Sequence, residues 1–465
     1  MDCTWAIGGN MKYIKLLGML FLIFSLVSCI SPQSQLSTPT YQVIASPTVQ
    51  AKIVPTTANL PLITPPKGLV YCTDYCSNYW EINVDGTSRL IASIPSADGA
   101  VLSHDKQSLL YYANSNIQIL NLQTQESRDI NSSGFDATWS PDDTKIAFIH
   151  RPPGQNVWVV DLATGQQHNL TNTTRWLERG FCCDSDIFER ILWSQFAPNT
   201  IFFASQTPET PVVGSLPQVG SDFYPTMVNT DGSNYRIIDD VNGSFFSPRV
   251  SPDGHYLAYD GGATSTIGGL LYDLRTNQRI HILASDYGVS DPPDLRLVSP
   301  RWSPDGRKIL WMAGNSNSYK ARIILFDLDK HAATVLRVYD PTIYNVGIGD
   351  SYGTWWPGGN NFYWSPDGKW IVLVTDTWDL HESNPNYGGR LQIFDSNGNL
   401  FKELYADSIG VPIWSPDNQS MAYNYLEYNN QTQYRYDAIR ILDINSWEVK
   451  GLNLPKLSQV VDWLP

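Results

Sequence analysis

One pentapeptide constrains this chain more than any other feature: Trp302-Ser303-Pro304-Asp305-Gly306, followed by the apolar run Ile309-Leu310-Trp311-Met312. Near-copies stand at Trp139-Ser140-Pro141-Asp142-Asp143, Val250-Ser251-Pro252-Asp253-Gly254, Trp364-Ser365-Pro366-Asp367-Gly368 and Trp414-Ser415-Pro416-Asp417-Asn418. Weaker copies are Leu102-Ser103-His104-Asp105 and Trp193-Ser194-Gln195. The seven serines are spaced by 37, 54, 57, 52, 62 and 50 residues. A period near 50, each copy leading into a short β-rich run, is the mark of a repeat architecture.

The chemistry of the motif explains its recurrence. A large ring at the end of one strand can wedge between neighbouring sheets. Pro sets φ for the first turn position, Asp bonds the backbone two residues on, and Gly accepts positive φ. The motif is therefore a hairpin corner, and Asp142, Asp253, Asp305, Asp367 and Asp417 are read as structural turn residues rather than catalytic acids.

Around each copy the pattern is strand, turn, strand, loop, strand, turn, strand. Ile309–Met312, Arg322–Asp327 and Thr334–Val338 follow one corner, and Ile146–Phe148 with Val157–Val160 follow another. These groups predict four-stranded antiparallel blades of a β-propeller. Gly68–Tyr71 and Tyr79–Asn83 look like the second and third strands of a blade without its first, whereas Val460–Pro465 looks like a lone first strand. Pairing them would close the ring and remove exposed sheet edges. The expectation is an all-β, eight-bladed propeller over residues 67–465. Seven blades is the alternative, because the Ser194 copy lacks Pro-Asp-Gly.

Repeats of this kind, followed by an Ile-Ala-Phe-like strand, resemble the TolB-type propeller repeat and the N-terminal propellers of the dipeptidyl peptidase family. The resemblance covers about residues 68–465. It implies fold, and leaves function open, because propellers serve as binding scaffolds and as enzyme platforms.

The residues before the propeller carry an address. Met11-Lys12-Tyr13-Ile14-Lys15 is a basic start, and Leu16–Val27 is an apolar core shorter than a good transmembrane helix. It ends Leu26-Val27-Ser28-Cys29, which resembles the bacterial lipoprotein box. Residues 1–28 are read as a lipoprotein signal peptide starting at Met11, with Cys29 as the lipidated residue and membrane anchor. Residues 29–66 are rich in Ser, Thr, Pro and Gln and form no periodic apolar face, so they read as a stalk reaching on the order of 100 Å if extended. The implied location is the bacterial envelope, outside the cytoplasm.

Net charge is −14 with scattered basic residues, which argues against a nucleic-acid partner. The 16 Trp, 25 Tyr and 16 Phe include rings in the long B–C and D–A connections, on the side opposite the short turns. Trp176, Tyr352, Trp355, Trp356 and Trp378, with Asp379 and His381, are the candidate binding residues there. Long loops on a rigid scaffold are where recognition concentrates.

Catalytic and metal motifs fare less well. Gly349-Asp350-Ser351-Tyr352-Gly353 matches a nucleophile elbow in letters, but Thr354–Gly359 cannot supply the helix that the elbow requires. The seven His residues form no zinc spacing. Cys72, Cys76, Cys182 and Cys183 are disulfide candidates with three possible connectivities, Cys72–Cys76 being the easiest local pair. A four-thiolate zinc site is disfavoured because Cys182 and Cys183 are adjacent. No cofactor, metal or catalytic residue is expected. The sequence reading is a non-catalytic scaffold binding an envelope protein or glycan on the loop-rich face. The alternative, implied by similar propellers that are sugar lyases or hydrolases, is an enzyme acting on polysaccharide.

Overall fold

The computed structural model describes residues 68–464 except positions 75, 84–86, 95–99, 114–115, 151–155, 173–190, 207–222, 240–247, 260–267, 290–294, 315–320, 340–361, 376–388, 407, 411, 430–433, 453 and 455–457. The signal segment 1–28 and the stalk 29–66 lie outside these residues.

The strands form eight antiparallel blades, each ordered A-B-C-D from the inside outward. Blade 1 takes strand A from the far end of the chain: Gln459–Trp463 pairs with Leu69–Thr73, which is followed by Asn78–Ile82 and Ser88–Ser93. Blades 2 and 3 share the thirteen-residue strand Ser127–Trp139. Its first half is strand D of blade 2, and its second half, from Gly134, is strand A of blade 3. Blade 4 is Ile191–Trp193, Thr200–Gln206, Phe223–Asn229 and Arg236–Ile237, complete despite its weak motif. That fourth sheet decides for eight blades over seven. Blades 5, 6 and 7 begin with Arg249–Val250, Arg296–Trp302 and Phe362–Trp364. Strand A of blade 8 is broken into Ser408–Ile409 and Ile413–Trp414.

The core lies between blades, not within them. Eight hydrophobic clusters occupy the eight blade junctions, including the one between blades 8 and 1, where Leu69, Tyr71 and Trp463 meet Ala422, Ile439 and Ile441. In strand B of blade 6, Ile309, Trp311 and Ala313 face blade 5 while Leu310 and Met312 face blade 7. A strand buried on both faces reads as an unbroken apolar run, and a run of that kind stands after each motif. Burial of one such side chain stabilises by about 1.5–3 kcal/mol.

Two sets of polar contacts reinforce these junctions. On the inside, the motif Trp donates its indole N–H to a carbonyl in strand A of the preceding blade. Trp139 bonds to Val101, Trp302 to Arg249, Trp364 to Arg301 and Trp463 to Ile413, at 3.1–3.3 Å. On the outside, long cations of strand D reach the C–D turn of the next blade: Arg128 to the Leu162 carbonyl, Arg236 to Asn277 Oδ1 and Lys402 to the Trp447 carbonyl.

Candidate functional site

The short-turn end of the propeller is chemically closed. In six A–B turns the Ser hydroxyl donates to the Asp two residues on, at 2.5–2.7 Å: Ser103–Asp105, Ser140–Asp142, Ser251–Asp253, Ser303–Asp305, Ser365–Asp367 and Ser415–Asp417. The same Oγ accepts the backbone N–H five residues on, for instance that of Lys308 at 2.9 Å from Ser303. The Asp carboxylate in turn accepts the backbone N–H two residues further, for instance Arg307 on Asp305 at 3.1 Å. All six serines are buried. The fifth motif position needs positive φ, which Gly254, Gly306 and Gly368 supply, as do Lys106, Asp143 and Asn418 at some strain.

The carboxylates show the effect of this latch. The Ser140 hydroxyl beside Asp142 holds its carboxyl down at about 2, against partial burial that opposes it. At Asp253, Asp305 and Asp367 burial works to raise the carboxyl, yet hydrogen bonds from the turn hold it below its ordinary value. These groups are spent in holding the turns. Sequence reasoning found the Asp but missed the Ser, whose fixed place two residues before every Asp was the available signal.

The predicted binding residues Trp176, Tyr352, Trp355, Trp356, Trp378, Asp379 and His381 lie outside the described residues, as do Ser351, Cys29, Cys182 and Cys183. Cys72 and Cys76 are joined in a disulfide at the loop-rich end of blade 1. Cys72 stands opposite Gln459 of the closing strand. Between blades 4 and 5, buried Asp239 accepts hydrogen bonds from the Tyr259 hydroxyl and from Arg279 Nη1, the latter at 2.8 Å. Burial and the Asp239 charge push the Tyr259 phenol far above its ordinary value, so this group serves as a fixed donor.

The innermost strands carry a feature the sequence reading overlooked. Strands A of neighbouring blades lie close together around the axis, so equivalent positions form a ring. Two residues before the motif position of Ser, blades 5 and 6 present Arg249 and Arg301, each preceded by Pro. Each is partly exposed. Each donates Nη1 to the carbonyl of its own preceding residue, Pro248 at 2.9 Å and Pro300 at 3.0 Å. The guanidinium therefore curls back toward the loop-rich end. The Arg301 guanidinium also lies over the Phe362 ring of blade 7, 5.8 Å from its centroid. The repeated Pro-Arg was visible in the sequence.

Among the described residues no group of three or more His, Cys, Asp and Glu is placed to hold a metal ion. Among the same residues no helix is long and apolar enough to cross a membrane.

No protein-family model matches the sequence. Over 145 residues the chain is 28% identical to dipeptidyl-peptidase 5 of Porphyromonas gingivalis, a match covering 28% of this chain and 18% of that relative. The chain thus spans less than a fifth of the length of the curated relative it matches. Similar solved structures include TolB from Acinetobacter baumannii, 14% identical, with 75% of this chain and 79% of that one covered at a TM-score of 0.36. An oligogalacturonate lyase in complex with manganese is also 14% identical, with 78% and 95% covered at a TM-score of 0.45. TolB proteins and a dipeptidyl peptidase are thus among the similar proteins, as the repeat motif implied.

Proposed function

We propose that this chain is a lipid-anchored, extracytoplasmic propeller whose loop-rich face is a non-catalytic binding scaffold for an envelope protein or glycan. The observation that carries the reading is the division between the two ends. At the short-turn end the repeat serines and aspartates are consumed in Ser–Asp latches, whereas the long connections rich in rings all leave from the other end. A closed ring of eight cores is a rigid platform, and binding groups on rigid platforms lose little entropy on recognition. The lipoprotein-like Leu26-Val27-Ser28-Cys29 and the proline-rich stalk support presentation away from a membrane surface.

The test compares two variants of the purified propeller for retention of envelope proteins and for binding to a glycan panel. Trp355→Ala with Trp356→Ala is expected to lose binding with its melting temperature within a few degrees of wild type; Asp231→Ala, in a C–D turn, is expected to keep it. Truncating an aromatic anchor typically costs about 2 kcal/mol or more of binding. Equal binding by both variants removes the loop-rich face from the reading. Shortening of polysaccharide chains by the purified protein would replace the scaffold with the enzyme.

A further inference from the structure

Strand D carries the same irregularity in three blades. In blades 1, 6 and 7 one residue bulges out of register against strand C: Ile91, Leu336 and Phe401. The C–D turn of the following blade meets each of them with its positive-φ residue. Gln125 Nε2 donates to the Ile91 carbonyl at 2.8 Å. Gly398 lies so close to Leu336 that a Cβ there would stand 2.4 Å from the leucine side chain. Phe401 meets Trp447, with ring centroids 4.6 Å apart. Ile91 is sealed at 2% exposure, whereas Phe401 remains 54% exposed.

Trp447 is strained at its turn position. Four residues after the Asn or Asp that opens the turn, blades 2, 3, 5 and 6 place Gln125, Gly165, Asn277 and His331. Blade 8 places a bulky ring there at a φ of 59°, a conformation that large side chains rarely adopt. The ring is nonetheless held. Lys402 Nζ donates to the Trp447 carbonyl at 2.6 Å. Trp370, at the start of strand B of blade 7, packs against both rings, 5.0 Å from Phe401 and 4.8 Å from Trp447. A joint between blades needs neither ring, since Leu336 and Gly398 close the preceding one. A bulge that re-aims a side chain and a strained neighbour that backs it are features of recognition sites. The plate stands at the outer rim of the short-turn end, apart from the central latches.

The turns that carry the plate set the chemistry of its ligand. Asp395 and Asp443 accept backbone N–H groups of their own turns. Lys308 donates to the Ser396 carbonyl, and Lys450 stands 3.8 Å from Asp443. Exposed in the same two turns are Asn397, Asn445 and Glu448, which offer both donors and acceptors. An aromatic face is electron-rich. A pyranose can turn the weakly positive C–H groups of its apolar side toward such a face, while its hydroxyls bond to amides and carboxylates.

We propose that Phe401 and Trp447, backed by Trp370, form a platform that binds a neutral saccharide at the outer junction of blades 7 and 8. The platform is separate from the loop-rich face and stands whether or not that face holds a partner.

Calorimetric titration of the purified protein with cellotetraose, xylotetraose, maltotetraose and the tetramer of N-acetylglucosamine tests the assignment. Wild type is expected to bind at least one of them saturably, and equally at low and high sodium chloride because the ligand carries no charge. Phe401→Leu keeps an apolar side chain without a ring and is expected to weaken that binding about tenfold. Phe401→Tyr should retain it. Trp447→Asn, the residue that blade 5 uses at this position, should weaken binding to a similar degree with the fold kept by circular dichroism. Should that variant unfold, the two Phe401 variants decide. Leu90→Ala, which alters an exposed apolar residue on strand D of blade 1, should bind as wild type does. Absence of saturable binding of all four probes overturns the proposal, as does wild-type affinity in Phe401→Leu. Binding that weakens with salt overturns the neutral ligand class. A probe lost by Trp355→Ala with Trp356→Ala but kept by Phe401→Leu belongs to the loop-rich face and overturns the platform.

Discussion

The indole Nε1 of Trp463 donates to the carbonyl of Ile413 at 3.1 Å. This bond joins the last strand of the chain to blade 8 by the contact that Trp302 and Trp364 make elsewhere in the ring. The seam is further held by Asn424 of blade 8. Its Nδ2 donates to the Ser458 carbonyl at 3.0 Å, and its Oδ1 accepts the Val460 N–H at 2.9 Å. Lys106 of blade 2 holds Asp462 from the other side. The closing strand is thus tied to both of its neighbours, so breaking it opens the whole ring.

Removing the chain from Gln459 onward should abolish cooperative unfolding, because blade 1 loses its inner strand and two junction cores are exposed. Asn424→Ala is the milder version. It removes two hydrogen bonds of about 1 kcal/mol each and should lower the melting temperature without changing the number of transitions. Thermal melts by circular dichroism check both, and a truncated chain that melts as wild type does would contradict the closure.

Replacing Trp by Phe at two motif positions should give unequal results. Trp302→Phe loses the bond to the Arg249 carbonyl and should cost about 1–2 kcal/mol. At Trp414 the buried Nε1 finds no acceptor among the described residues. Trp414→Phe therefore removes an unsatisfied donor along with ring area, and should cost clearly less. Urea denaturation of the two variants measures the difference, and equal losses would show that ring packing alone carries the contact.

The latches predict an acid transition. The Asp142 carboxyl is held at about 2 in the fold against an ordinary value of 3.8. Its contribution is therefore fully present above 3.8 and lost as pH falls toward about 2. Asp253, Asp305 and Asp367 act in the same direction. Ser140→Ala removes the largest cause, so the variant should be less stable at neutral pH and the gap to wild type should narrow through that window. Melting curves taken across it would refute the linkage if the two proteins stayed parallel.

Cys29→Ser should release the protein from the membrane fraction or leave its signal segment uncleaved. Fractionation with a lipid-labelling assay reads this out. Normal processing with unchanged membrane retention would remove lipidation from the reading.

The seven-serine period, the corner chemistry of Ser-Pro-Asp-Gly and the split first blade were all legible in the sequence, because they are local. A turn residue is chosen by the φ it must adopt, and a strand buried on both faces must be apolar throughout. Four-stranded blades and closure by a last strand, read as Val460–Pro465 and observed as Gln459–Trp463, follow from that pattern. Other features needed the fold. The Trp302 indole meets the Arg249 carbonyl across 53 residues of chain. Arg249 and Arg301 acquire a shared position only once strands A of successive blades are brought round a common axis. Blade 4 has no Pro-Asp-Gly, and it is completed by packing against blades 3 and 5. Local sequence thus determined each corner and each strand. Which residues of separate repeats stand side by side was decided by tertiary structure, because closing the ring brings the innermost strands of successive blades together.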